Sequence, residues 1–405
     1  MSEIVFKFIL NTIVFHRAKK CKIRYNIYME QSKTIGIIGG GQLGRMLTLA
    51  AKTLGFKVIV IDPGVNCPAA QVGAEQIVGD LYDPNAIKEL ASRADFITIE
   101  IEHLDTKTLE ELEITGVKVR PSAKTIKLIQ DKYLQKKKLD ESGIPVAPFV
   151  EIFDEASAYD AMEQFGGKML LKTRHGAYDG RGNMVVESEA DIRKALELFK
   201  DKALYAEAFI PFEKELAVII ARDVSGNIAT YPTVQTIHER NICVEVLSPA
   251  PIDEELRNKA EKIAHEVANV LEGAGVFAIE MFLTDSNEIL VNEIAPRVHN
   301  SGHQTIEANV TSQFEQHIRA ISGMDLGDTS MKVPAAVMIN ILGERNGQTN
   351  LIGIENIVDK DFVFVHDYGK SPTKIDRKMG HITAIGDNLD QARKRAEDAR
   401  KVISI

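Results

Sequence analysis

The chain has 405 residues, 44% of them hydrophobic and 26% charged, with 28 glycines and 13 prolines. At roughly 100 to 200 residues per domain, this predicts two to four domains with ample core and excludes a disordered, collagenous or low-complexity protein. A net charge of -9 opposes a general nucleic-acid binder but leaves room for a small anionic ligand held by local Lys and Arg. The cysteines, Cys21, Cys67 and Cys243, form no C-x-x-C pair and read as reduced packing residues of a cytoplasmic protein.

Residues 1–33 carry seven Lys or Arg against Glu3 and Glu30. Their apolar run, 4–15, is broken by Lys7 and Asn11 and falls short of the roughly 20 residues of a membrane span. This segment reads as an atypical extension, and a chain starting at Met29 is expected to keep its activity. From Thr34 the pattern is β then α, which predicts an α/β fold: strand 34–38, a glycine turn, helix 42–54 and strand 57–62. Apolar segments at 94–102 and 117–120 continue a parallel sheet, closing a first domain at 34–130. A second domain spans 131–330. It holds a helix at 132–142, a strand at 169–173, a glycine-rich loop at 176–182, a helix at 189–199 and strands at 204–209 and 216–222. Asp253 is expected to cap a helix whose apolar face is Leu256, Ala260, Ile263, Ala264, Val267 and Leu271. Strands at 276–283 and 288–294 follow, and a smaller unit of short strands fills 331–405.

Several strings could carry chemistry. Gly39 to Gly44 fits G-x-G-x-x-G between a strand and a helix, with Asp62 ending the next strand. The same turn occurs wherever backbone N–H groups must meet an anion, and Asp62 before Pro63 also reads as a strand end. Lys172 sits on an otherwise apolar strand and needs an anionic partner if buried. The run Tyr178-Asp179-Gly180-Arg181-Gly182 could close over phosphates beside it. Glu207 to Ile210 offers a strand edge for an adenine, and Glu215 a carboxylate for ribose hydroxyls.

The strongest spacing argument concerns Glu280 and Glu293. A hairpin centred between Ser286 and Asn287 sets them directly opposite each other. Like charges so placed are destabilising unless a cation lies between them, and hard oxygen ligands favour Mg2+ with nucleotide phosphates completing its shell. The loop from Ala295 to His303 follows, dense in donors suited to an oxyanion. Tyr368-Gly369-Lys370 and Arg377 to His381 form a second basic cluster that reads as a phosphate clamp.

The strings GGGQLGRM (39–46), KTRHGAYDGRG (172–182), NEIAPRVHNSGH (292–303) and RKMGH (377–381), in this order, resemble the ATP-grasp superfamily. Within it they resemble the family that carboxylates 5-aminoimidazole ribonucleotide. The resemblance covers residues 34 to about 400 and implies a Rossmann-like N-terminal domain, a central ATP-grasp unit of α+β character with a lid, and a small β-rich C-terminal domain, commonly as a homodimer. It implies an ATP-dependent ligase of purine biosynthesis whose substrates are ATP, bicarbonate and the ribonucleotide, with Mg2+ or Mn2+ as the metal and no nucleic-acid or membrane partner. Residue by residue, it implies ATP contacts at Lys132, Lys172, Ala177, Tyr178, Asp179, Gly180, Arg181, Gly182, Asn183, Glu207, Ala208, Phe209, Ile210, Glu215, His238, Asn292 and Glu293. It implies Glu280 and Glu293 as metal ligands. By the same resemblance Arg297, His299 and Asn300 would be the catalytic residues that hold bicarbonate, while Glu100, Glu102, Tyr178, Asp179, Arg181, Lys370 and Arg377 would hold the ribonucleotide. The rivals are a formate-using ATP-grasp transformylase, a nicotinamide oxidoreductase resting on the first glycine turn, and a non-catalytic nucleotide-binding protein.

Overall fold

The computed structural model describes residues 32–176 and 182–405. The N-terminal extension through Gln31, with Cys21, and the loop residues Ala177, Tyr178, Asp179, Gly180 and Arg181 lie outside the described residues.

The first domain is a parallel sheet of β1 (Thr34–Ile38), β2 (Lys57–Asp62), β3 (Glu75–Val78) and β4 (Phe96–Ile99), ordered β3-β2-β1-β4. Runs such as Thr-Ile-Gly-Ile-Ile and Lys-Val-Ile-Val-Ile-Asp suit strands buried on both faces. Helix Gln42–Thr53 packs Leu43, Met46 and Leu47 against Ile35, Ile37, Val58 and Val60. Helix Pro84–Arg93 starts with Asp83 at its N-cap and Pro84 in its first turn. The segment at 117–120 differs from expectation, because it contributes only a single parallel bridge, Ile97 to Val119, before Pro121 removes the next donor.

A second sheet is antiparallel and holds β5 (Phe149–Ile152), β6 (Met169–Thr173), β7 (Asn183–Val186) and β8 (Leu204–Ala208), in the order β5-β8-β6-β7. One face buries Ile152, Met169, Leu171, Val186 and Ala206 against helices Glu155–Gln164 and Glu189–Leu198.

The remaining strands are β9 (Lys214–Arg222), β10 (Ile228–Thr230), β11 (Val234–Glu239), β12 (Ile242–Ser248), β13 (Gly275–Leu283), β14 (Ile289–Ala295), β15 (Ala335–Leu342), β16 (Val363–Asp367) and β17 (Lys378–Gly386). They form one antiparallel sheet, β14-β13-β9-β11-β12-β15-β17-β16, with β10 on β9. The C-terminal strands were expected to be short and separate. Instead β15 and β17 have 8 and 9 residues, and β15 joins β12 through the pairs Glu245–Ile339 to Ser248–Ala336. The C-terminal segment nevertheless keeps its own core, in which helix Leu389–Val402, absent from the sequence reading, packs Ala392, Ala396 and Ala399 on Val337, Ile382 and Ala384. Helix Glu254–Leu271 covers the back of β9 and β13 with the predicted face, Leu256 being only partly buried. Asp253 occupies its N-cap position, but its side chain makes no capping hydrogen bond.

Candidate active site

Glu280 on β13 and Glu293 on β14 are paired, as the spacing predicts, but the turn differs from the one assumed. Beyond the pair the register is Met281–Val291 and Leu283–Ile289, centring the turn on Ser286. With that turn alone, Glu280 would face Asn292. A bulge at Asn292 inserts one residue and restores the Glu280–Glu293 pairing, placing both carboxylates on one face. Burial, and then the charge of Glu293, push the Glu280 carboxyl up to about 7. Among the described residues no group of three or more His, Cys, Asp or Glu gathers as a metal site. A two-carboxylate pair whose ionisation is opposed in this way fits a hard divalent cation that takes its other ligands from phosphate and water.

Lys132 faces Glu293, its Nζ 2.6 Å from Oε2. Asp131 places it there by capping helix Lys132–Glu141, accepting from Tyr133 and Leu134 N–H at 3.1 Å, and by pairing with Arg174 at the end of β6. The anionic partner that buried Lys172 required is Glu207 on β8, whose other oxygen accepts from Lys136 Nζ at 2.6 Å. Burial pushes the Glu207 carboxyl up, but the ammonium groups of Lys136 and Lys172 outweigh it and hold the group near 2. Burial also lowers the Lys136 ammonium against the pull of Glu207. Lys136 was missed by the sequence reading; its only signal is a lysine one helical turn after Lys132.

The loop after β14 brings the anion-binding candidates beside this pair. Arg297 grips Glu102 with two hydrogen bonds, Nε to Oε2 at 2.5 Å and Nη2 to Oε1 at 3.1 Å. Although burial disfavours its charge, Glu102 is held near 2 by that guanidinium. His299 Nδ1 accepts from Ser301 N–H, which leaves the proton on Nε2, 3.2 Å from Glu280 Oε1. Burial, then Arg297, hold the His299 imidazole well below its ordinary range, so the ring is neutral. Asn300 is 7% exposed, and apart from a weak contact with the Cys243 thiol neither polar atom of its amide has a protein partner, as a ligand-binding amide requires. Burial pushes the Cys243 thiol up to about 12, which makes it inert.

The glycine turn already holds carboxyl groups of the protein itself. Glu100 at the end of β4 accepts from Gly41 N–H through Oε1 and from Gly44 N–H through Oε2, both at 2.5 Å, while Asp62 accepts from Gly40 N–H at 3.0 Å. The donors that a dinucleotide would need are thus occupied by the protein's own carboxylates, and Asp62 anchors the turn, which removes the oxidoreductase reading. Burial raises the Glu100 carboxyl above its ordinary range despite these N–H donors and the charge of Lys370, which itself donates to the Lys378 carbonyl at 2.9 Å. Gln71 fixes its loop by donating to the Gly369 carbonyl at 2.9 Å. Arg377, on the same loop, donates to the Pro372 carbonyl at 2.6 Å.

Of the other predicted contacts, Glu215 and His238 act on the charge of Glu280. Glu215 on β9 and His238 on β11 meet at 2.6 Å, which raises the His238 imidazole despite its burial. Gly182 accepts from Thr173 N–H, Asn183 pairs with Lys172 across β6 and β7, Ala208 ends β8, and Phe209 and Ile210 follow it, with Lys168 Nζ 4.0 Å from the Phe209 ring centroid. Lys378, which the sequence places in the C-terminal basic cluster, also bears with its charge on His238, Cys243 and His299.

Three family models match in succession: a ribonucleotide synthetase preATP-grasp domain at 32–130, an ATP-grasp domain at 137–314, and a phosphoribosylaminoimidazole carboxylase C-terminal domain at 336–395. The chain is 44% identical over 374 residues to phosphoribosylaminoimidazole carboxylase of Ogataea methanolica, covering 90% of this chain and 68% of that protein. It spans about two thirds of the length of such relatives, 65% for the one from Saccharomyces cerevisiae. It is 38% identical to N5-carboxyaminoimidazole ribonucleotide synthase of Bacillus subtilis, covering 86% of this chain and 90% of that one. Among solved structures, the N5-carboxyaminoimidazole ribonucleotide synthetase of Thermotoga maritima superposes with a TM-score of 0.83 at 44% identity, covering 92% of this chain and 99% of that one. The Aspergillus clavatus N5-carboxyaminoimidazole synthase, in complex with ADP and 5-aminoimidazole ribonucleotide, gives 0.85 at 37% identity, covering 92% and 98%. The three-domain order, the opposed carboxylates and these similarities agree: the chain belongs to the N5-carboxyaminoimidazole ribonucleotide synthase family of ATP-grasp ligases.

Proposed function

We propose that this chain uses ATP and bicarbonate to carboxylate the exocyclic amine of 5-aminoimidazole ribonucleotide, releasing ADP and phosphate. The observation that carries this reading is the opposed pair Glu280 and Glu293, with Lys132 on one carboxylate and the neutral His299 on the other. A Mg2+ or Mn2+ ion held by the two carboxylates would supply charge neutralisation at the transferring phosphoryl group. Lys132, Lys172, Glu207, Glu215 and His238 would hold the nucleotide. Arg297, His299 and Asn300 would hold bicarbonate, whose oxygen attacks the γ-phosphorus to give carboxyphosphate. The ribonucleotide's amine then attacks the carboxyl carbon, and the carbon–oxygen bond to phosphate breaks. Such catalysis is mainly positioning and electrostatic stabilisation. Lys370 and Arg377 would clamp the ribonucleotide phosphate beside Glu100 and Glu102.

We also infer a homodimer in the cytoplasm. No helix of the described residues is long and apolar enough to cross a membrane. The test is steady-state ADP release with 5-aminoimidazole ribonucleotide present. Omitting bicarbonate is expected to remove most of it, whereas release that depends on formate and glycinamide ribonucleotide would favour the transformylase instead.

A further inference from the structure

Two motif histidines are given no part in the proposed reaction. His303 closes the string 292–303 and His381 the string 377–381; both are 0% exposed, and their rings pack with centroids 4.8 Å apart. On one side, the buried Gln313 amide spans the backbone of His299, donating to its carbonyl at 2.7 Å and accepting from its N–H at 2.9 Å. The same Gln313 Nε2 lies 3.3 Å from His303 Nδ1. On the other side, the buried Tyr368 hydroxyl lies 2.9 Å from His381 Nδ1, and the Lys370 ammonium lies 5.5 Å from the Tyr368 ring centroid. His366 stacks on the outer face of His381 at 4.4 Å and is itself held by Glu307 at 2.8 Å. The contacts are therefore continuous from the His299 backbone, at the bicarbonate end, to Lys370 at the ribonucleotide end. Burial holds both His303 and His381 well below the ordinary imidazole range, so these two rings are neutral. A buried ring with one fixed Nδ1 partner cannot rotate without breaking its hydrogen bond, which makes the row stiff.

We propose that Gln313, His303, His381 and Tyr368 are positioning residues that hold the His299 loop and the Lys370 loop in register, so that carboxyphosphate forms within reach of the ribonucleotide's amine. This rests on the proposed function, which the wild-type enzyme tests first: if its ADP release does not depend on bicarbonate and the ribonucleotide, that reading itself fails. Given that dependence, Tyr368→Phe removes only a hydroxyl, and His381→Phe keeps a ring in the stack. Each is expected to raise the KM for 5-aminoimidazole ribonucleotide about fivefold to tenfold, with less carboxylated product per ADP and an ATP KM within about twofold. The double variant should be no worse than the worse single one, because both remove the same hydrogen bond. His381→Asn, whose amide can stand in for Nδ1, should recover part of the loss. An unchanged ribonucleotide KM with full coupling in Tyr368→Phe, or equal rises in both KM values, would overturn the proposal. If His381→Phe does not fold, Tyr368→Phe decides alone.

Discussion

Glu280→Gln is expected to lower turnover by roughly 10²- to 10³-fold while leaving the fold intact, a loss of the size seen when one stabilising group is removed from a transferring centre. Glu280 and Glu293 face each other only because the bulge at Asn292 shifts the register, and burial together with Glu293 already pushes Glu280 up to about 7. A carboxyl raised in the folded state binds its proton more tightly there than in the unfolded chain. Its contribution to stability is therefore present below the ordinary carboxylate pKa and is lost as pH rises toward 7. Glutamine escapes that loss, so at pH 8 without metal the variant should melt no lower than wild type. Near wild-type ADP release would remove Glu280 from the metal site, and a collapsed melting temperature would make it a structural residue.

Glu207→Gln should be the most destabilising single change at the site. It leaves the ammonium of Lys136, 3% exposed, and that of Lys172, 9% exposed, without their shared carboxylate. Breaking a buried ion pair on one side typically costs about 3 to 5 kcal/mol. Lys136→Met should cost less, because Glu207 keeps Lys172. The sign with pH is opposite to that of Glu280: a carboxyl held near 2 stabilises the fold above the ordinary carboxylate pKa, and that contribution fades as pH falls toward 2. The gap between wild type and Glu207→Gln in urea unfolding should therefore be full at pH 7 and narrow below about pH 4. A gap under about 1 kcal/mol at pH 7 would mean that the cluster is solvated rather than buried.

Much of this was legible in the chain because periodicity and pairing are local. Strands 34–38 and 57–62, the apolar face of helix Glu254–Leu271 and the opposition of Glu280 to Glu293 need only spacing. The last was reached with the wrong turn centre, and a bulge supplied the missing residue; a bulge has no reliable sequence mark. What spacing could not show is partnership across distance. Lys172 announced a buried need for an anion, but nothing in its neighbourhood names Glu207, 35 positions later, or Lys136 as its companions. The glycine turn looked open to a phosphate, and only folding brings Glu100 into it. The C-terminal strands looked separate because no local pattern tells β15 that the free edge of β12 is near.

The reaction leaves a mark that binding alone cannot. If bicarbonate attacks ATP and the ribonucleotide's amine then displaces phosphate, one bicarbonate oxygen ends in the phosphate product. Turnover with oxygen-18-labelled bicarbonate, ATP and 5-aminoimidazole ribonucleotide should therefore give about one labelled oxygen per phosphate, in step with ADP. Phosphate that is unlabelled, with its new oxygen drawn from water, would contradict bicarbonate phosphorylation at the site that Arg297, His299 and Asn300 surround.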